Sequence, residues 1–175
     1  GVFRLARKKA LVRRAVAVEN IGRITCIVSD KTGTITAGSL VLAHRTPAHG
    51  SDEVSVLQVA TFAARPDSGD PLDQALHEAA GSLPQATRLV DFPFTEARRR
   101  ETIIWSCAAG NTTAFTKGAP ETVLATCEFS DLEREDWLAR VEEYAQSGHK
   151  VIGCARLDMP VGASVSIEPE QGFEF

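Results

Sequence analysis

Ile24-Thr25-Cys26-Ile27-Val28-Ser29 runs directly into Asp30-Lys31-Thr32-Gly33-Thr34-Ile35-Thr36. An almost continuous apolar run is expected as a strand covered by helices on both faces, as in a parallel α/β sheet. It puts the Asp30 carboxylate at the strand's exposed end, with hydroxyls and a glycine just beyond. Held there, beside backbone N–H groups that receive phosphate oxygens and with room for Mg2+, a carboxylate can attack a γ-phosphate in line and become an aspartyl phosphate. Asp, Thr and Gly are turn formers too, so by themselves these residues also fit an ordinary turn.

Beyond that stretch, the 175 residues are 43% apolar and 24% charged, an ordinary globular balance. The length suits one or two domains with a real core. No run approaches the roughly 20 apolar residues that cross a bilayer, and no signal-peptide pattern opens the chain, so this piece is expected to be soluble. The net charge of −4 hides an asymmetry, because Arg4, Arg7, Lys8, Lys9, Arg13 and Arg14 lie in the first 14 residues without an acid among them. Such a basic arm fits an anionic membrane face, a nucleic acid or a solvated helix. Cys26, Cys107, Cys127 and Cys154 lie far apart, without Cys-x-x-Cys spacing, and are expected as buried free thiols rather than a zinc site or disulfides. His44, His49, His77 and His149 form no metal-spaced cluster and are expected on the surface or in loops.

Residues 3–19 have helix-compatible composition. Residues 40–45 are expected as a short strand, and 53–64 as a helix with Val54, Leu57 and Ala60 or Thr61 on one face. Asp70-Pro71-Leu72-Asp73 starts a further helix, with Asp70 as N-cap, Pro71 at N1 and Asp73 at N3, that ends at Gly81. Strands at 88–94, 102–108 and 113–117 then read as a meander. A short helix at 120–126, a longer amphipathic one at 131–146 stopped by Gly148, and a strand at 151–156 follow. Residues 158–172, rich in Pro, Gly and Ser, read as a linker. Gly172-Phe173-Glu174-Phe175 is expected to begin a strand that a cut C-terminus leaves incomplete.

No Gly-x-x-x-x-Gly-Lys-Ser/Thr or Gly-x-Gly-x-x-Gly occurs, so side chains would have to hold a nucleotide. Phe115-Thr116-Lys117-Gly118-Ala119-Pro120-Glu121 offers a lysine at a strand's end and a glycine where backbone must approach something closely; a strand-to-helix turn with a solvated lysine also fits. Asp91-Phe92-Pro93-Phe94-Thr95-Glu96-Ala97-Arg98-Arg99-Arg100 sets aromatics beside three arginines. A purine can stack on such a ring while guanidinium groups meet phosphate oxygens. Core packing is the commoner fate of a phenylalanine. Asp73 as an N3 carboxylate can serve simply to cap its own helix.

The heptad beginning at Asp30 resembles the phosphorylation motif of P-type ATPases, Asp-Lys-Thr-Gly-Thr-Leu-Thr, with Ile35 in place of the leucine. Lys117 to Glu121 match the family's Lys-Gly-Ala-Pro-Glu. Gly69-Asp70-Pro71-Leu72-Asp73-Gln74-Ala75-Leu76 is similar to its Gly-Asp-Pro-x-Glu-x-Ala-Leu, the stretch from Phe92 to its Phe-Pro-Phe segment, and Gly148-His149-Lys150 to its Gly-x-Arg strand. The five elements keep the family's order over essentially the whole chain.

That resemblance implies an α+β nucleotide-binding domain, an antiparallel sheet flanked by helices, inserted in a truncated α/β HAD-like phosphorylation domain. Residues 1–37 would be stalk and the N-terminal part of the phosphorylation domain, 38–165 the nucleotide domain, and 166–175 a linker and the start of the return strand. Asp30, Lys31, Thr32 and Gly33 would be the catalytic set. Asp30 would take the phosphoryl group, Asp30 and Thr32 would hold Mg2+, and Thr32 with Gly33 would touch the phosphate. Lys117 and Gly118 would line the adenine pocket, Phe94 would stack on the base, and Asp73, standing for the family's glutamate, would accept from its amino group. Arg99 and Lys150 would meet phosphates; Lys150 replaces an arginine and loses its bidentate fork. Glu96 stands where some members carry arginine. The Lys-Gly-Ala-Pro-Glu element favours the branch of calcium, sodium/potassium and related pumps over the heavy-metal branch. ATP and Mg2+ are thus the implied cofactors. The partners would be ATP and a cation carried by a membrane domain, with no nucleic acid. The chain would be a monomeric cytoplasmic part of a cell-membrane protein, without turnover of its own because the family's Thr-Gly-Asp and Gly-Asp-Gly elements are absent. Two rivals from other classes are a soluble aspartate-nucleophile phosphatase, which would usually carry a second aspartate where Thr32 stands, and a binding module without chemistry.

Overall fold

Helix starts follow local capping chemistry. In a computed structural model of the chain, described for residues 2–29, 38–107, 110–160 and 162–175, the chain forms two units, Gly1–Ser39 and Leu40–Phe175. In the first, α1 (Val2–Arg7) and α2 (Ala15–Ile21) replace the single helix-compatible stretch expected from the sequence. The break has a local cause: Lys9 takes a left-handed φ of 60°, and Arg14 caps α2 without a side-chain hydrogen bond. Residues 24–29, expected as a buried strand, form none, and Cys26 is exposed rather than buried. A strand satisfies its backbone through a ladder neighbour, and the described residues of this unit contain no other strand.

In the second unit, Asp52 accepts from the Ser55 N–H at 2.7 Å and opens α3 (Glu53–Phe62). Asp70 accepts from the Leu72 N–H at 2.8 Å, with Pro71 at the first position of α4 (Pro71–Ala80). Leu57, Ala60 and Thr61 of α3 are buried as expected, but Val54 turns to solvent. The meander forms as β1 (Thr87–Phe92), β2 (Arg100–Ser106) and β3 (Thr112–Gly118). The chain then makes α5 (Pro120–Leu124) and α6 (Asp131–Gln146), and β4 (Gly153–Asp158) returns against β3. All three pairings are antiparallel, in the order β1-β2-β3-β4. Residues 40–45, expected as a strand, pair with none of these; Leu42 packs instead against Leu57, Ala60 and Leu76.

Consecutive buried residues in β2 and β3 mean that both faces of the sheet are covered. On one face Ile104, Ala114 and Ala155 meet Val123 and Cys127 and the C-terminal Phe173. On the other, Phe115 stacks on Phe62 of α3 at 4.8 Å, and the Trp105 indole N–H donates to the Phe62 carbonyl at 2.8 Å. The long helix α6 has a capping box, Ser130 with Glu133, yet buries no residue completely; Trp137 sits edge-on to Phe175 at 4.8 Å. Of residues 158–172, expected as a linker, Asp158 ends β4 and the described remainder hold no regular element, but they are tied down by Glu168, and Phe173 donates its N–H to the Thr126 carbonyl at 3.1 Å.

Candidate functional site

The strand register gathers several candidate residues at one end of the sheet. Phe92 pairs with Thr102, Glu101 with Lys117, Arg100 with Gly118, and across β3 Lys117 faces Cys154 and Gly118 faces Gly153. The loop 93–99, carrying Phe94 and Arg99, leaves the sheet at this end. Lys150, three residues before β4, arrives there.

Lys117 is buried and its ammonium lies between two carboxylates, in contact with Glu101 Oε1 and 2.7 Å from Asp73 Oδ1. The outer oxygens of both acids are engaged. Arg65 Nε donates to Glu101 Oε2 at 3.2 Å, while the Arg65 N–H (3.2 Å) and Ser68 Oγ (2.6 Å) donate to Asp73 Oδ2. Asp73 Oδ1 is buried with no hydrogen-bond donor aligned on it beyond its ion pair. Burial pushes the Asp73 carboxyl up, but Lys117, Ser68 and Arg65 together outweigh it and hold the group below the ordinary aspartate range. Asp73 takes its hydrogen bonds from Arg65 and Ser68, outside its own helix, which Asp70 caps, and it is one end of an Asp73–Lys117–Glu101–Arg65 chain with two charges of each sign, of which only Arg65 is partly exposed. Such a network persists because every charge in it is paired.

Phe94 is 51% exposed, so core packing is not its role. Arg99 takes φ 52° and pairs with Glu121 at 2.7 Å. Its neighbours are drawn inward: Arg98 and Arg100 both bind the carboxylate of Glu168, which also accepts from Thr102 Oγ1 at 2.7 Å. Of the run of three arginines, Arg98 and Arg100 share the single negative charge of Glu168, while Arg99, the one expected to meet phosphate, pairs with Glu121. Gly118 is required by its own sheet, since a Cβ there would lie 2.4 Å from the Arg99 carbonyl oxygen and 2.6 Å from Arg100 Cα. Lys150 is exposed. It lines a cavity of about 740 Å3 with His44, Tyr144 and His149, which Leu72 and Cys154, neighbours of Asp73 and Lys117, also line. The His44 ring stacks on Tyr144 at 5.1 Å and meets His149 at 4.8 Å.

Asp30, Lys31, Thr32 and Gly33 lie outside the described residues, and with them both expected Mg2+ ligands. Among the described residues no group of three or more His, Cys, Asp or Glu is arranged to hold a metal. Sequence reasoning missed Glu101 and Glu168. Glu101 could have been found once β2 and β3 were placed in register, because an acid then falls opposite Lys117. Glu168 carries no local signal in its Pro- and Ser-rich surroundings.

A four-stranded antiparallel sheet with flanking helices and a charged, partly open end is consistent with a nucleotide-binding domain. Residues 51–174 match the family model described as P-type ATPase, cytoplasmic domain N, and the chain belongs to the P-type ATPase family. It is 32% identical over 169 residues to a plasma membrane ATPase of Kluyveromyces lactis, covering 89% of this chain and 19% of that protein. It is 30% identical over 169 residues to plasma membrane ATPase 1 of Candida albicans, covering 89% and 19%. It is 27% identical over 159 residues to a protein of Methanocaldococcus jannaschii named as a cation-transporting ATPase, covering 89% and 20%. The chain thus spans about a fifth of the length of these relatives. No described helix is long and apolar enough to cross a membrane.

Proposed function

We propose that this chain is the nucleotide-handling part of an ATP-driven cation pump, lying on the cytoplasmic side of a cell membrane. Residues 38–165 bind ATP and bring its γ-phosphate to Asp30. The observation that carries this reading is the buried Asp73–Lys117 pair at the sheet end from which the Phe94 loop departs. The Asp73 carboxylate, which Lys117 holds below the ordinary aspartate range, is the acceptor offered to the amino group of adenine. The exposed Phe94 ring offers a stacking face, and the cavity from Leu72 and Cys154 to Lys150 offers a path for the phosphates towards a cation.

In the transfer, a carboxylate oxygen of Asp30 bonds to the γ-phosphorus as the bond to the bridging β,γ-oxygen breaks. ADP leaves with that electron pair, and water later returns the carboxylate and inorganic phosphate. The Asp30 carboxylate and the Thr32 carbonyl are hard oxygen donors, which fits Mg2+. When bound, Mg2+ would supply charge neutralisation of the phosphate oxygens. Lys31 and Gly33 complete the loop around the phosphoryl group. Gly118 holds the strand packing behind the pocket, and Arg99 exchanges Glu121 for phosphate when the nucleotide arrives. The isolated chain binds nucleotide weakly as a monomer and does not turn over.

Calorimetric titration of the chain with ATP, repeated on Phe94→Ala, tests the reading. Because Phe94 is half exposed, the variant should fold normally. Loss of one base stack, worth roughly 1–3 kcal/mol, should weaken ATP about five- to hundredfold. Equal affinity in both proteins would remove Phe94 from the site; no ATP binding at millimolar concentration would discard the reading.

A further inference from the structure

We propose that Glu168 is a positioning residue for the purine, clamping Arg98 so that the loop 93–99 holds the Phe94 ring where it stacks on the base. The inference rests on the nucleotide reading of this sheet end. Phe94 is half exposed, so its own packing leaves the direction of the ring largely to the backbone that carries it. Arg98 fixes that backbone. Inside the loop its guanidinium donates through Nη2 to the Pro93 carbonyl and through Nε to Thr95 Oγ1 at 3.2 Å, the residues on either side of Phe94. The remaining nitrogen, Nη1, donates to Glu168 Oε2.

Glu168 is itself anchored to the sheet. Its side chain is 11% exposed, and its other oxygen, Oε1, accepts from Thr102 Oγ1 at 2.7 Å and from Arg100 Nε at 3.2 Å, both on β2. Arg100 also donates to the Pro169 carbonyl at 3.1 Å and so fixes the segment that carries Glu168. The loop thus reaches the sheet through a charge-assisted hydrogen bond, the stronger kind. The other side of the loop is held separately, by the Ala119 N–H on the Arg99 carbonyl. Between the two holds Arg99 takes its left-handed φ of 52°, a conformation that a non-glycine residue keeps only where its surroundings over-determine it. That turn sends Arg99 to Glu121 while Arg98 and Arg100 both reach Glu168. Without Glu168 the Pro93–Thr95 side would be released, and the ligand would have to order Phe94 as it binds, at a cost in affinity.

The test compares the 175-residue chain with Glu168→Gln, which keeps one acceptor oxygen but no charge, and with Arg98→Met, which leaves Glu168 paired with Arg100. Without nucleotide, the Arg98 and Arg99 amides, both bonded to Thr95, should exchange with deuterium at least about fivefold faster in each variant, while the amides of α6 change less than about twofold. ATP, followed through backbone amide resonances, should bind about three- to tenfold more weakly in both. That loss should shrink below about twofold when Phe94→Ala is already present, because Glu168 acts through the ring. Unchanged exchange at Arg98 and Arg99 in both variants overturns the proposal. Faster exchange throughout the chain, or an equal loss of ATP with and without Phe94, marks a merely structural role and overturns it too. Faster loop exchange with unchanged ATP affinity leaves a clamp that positions nothing, which has the same force. Failure of the unsubstituted chain to bind ATP at millimolar concentration brings down the nucleotide reading, and the positioning role with it, while the exchange rates still report on the clamp.

Discussion

Ile24-Thr25-Cys26-Ile27-Val28 and Thr102-Ile103-Ile104-Trp105 are nearly interchangeable as sequence, yet they meet opposite fates. Ile103 and Ile104 are 1% and 0% exposed, in a strand with a partner on each side, whereas Ile27 and Val28 are 83% and 95% exposed and in no strand. The difference lies in what surrounds each run. Residues 100–106 have a meander to join, and α3 and α5 close over its two faces. Apolar composition creates a demand for burial, but only partners with matching register meet it.

The sharpest test of that contrast concerns charge within the packed region. Lys117→Ala leaves Asp73 and Glu101 buried with one cation fewer between them, and should destabilise by about 3–5 kcal/mol in urea unfolding at pH 7. The pH dependence has a definite sign. In the unsubstituted chain Asp73 holds its proton less tightly folded than unfolded, so its contribution is complete above the ordinary aspartate value of about 3.9 and fades as pH falls through the lower folded value. Without Lys117, burial dominates and favours the protonated acid, so the penalty of the variant should shrink as the pH is lowered towards 4. A penalty independent of pH would mean that the pair is not what is lost.

Ile104→Ala against Val28→Ala compares the two runs directly. The first should lower stability by about 2–5 kcal/mol through a lost contact and a cavity. The second should fall within about 0.5 kcal/mol. Equal effects would show that residues 24–28 are packed in solution. The smallest expected effect is chemical rather than thermodynamic. Burial pushes the Cys154 thiol up to about 12, helped by Cys127, while Cys26 is exposed. At pH 8 an alkylating reagent should label Cys26 well before Cys154, in peptides separated by mass spectrometry; the reverse order would invert the comparison.

Much of the second unit could be foreseen because its punctuation is local. Asp70-Pro71 and Ser130 with Glu133 announce helix starts within four residues, and the three meander strands are adjacent in sequence. Lys117 and Asp73 were picked out as candidates 44 positions apart, but their direct contact across the interior was not foreseen. Glu101 became visible only with the strand register, and Glu168 only with the fold, because 66 residues separate it from Thr102. The apolar run at 24–28 misled for the complementary reason: a pattern records what a strand would bury, not whether anything is there to bury it against.

The close approach at Gly118 reaches further than its own strand. With no room for even a methyl group between it and the Arg99 carbonyl, and with the Ala119 N–H donating to that same oxygen at 2.9 Å, the base of the Phe94 loop is welded to β3. A ring mounted on so stiff a bracket has little freedom left to surrender when a ligand settles on it. Any affinity the surface has would come mainly from contact, with little lost to setting the loop in order.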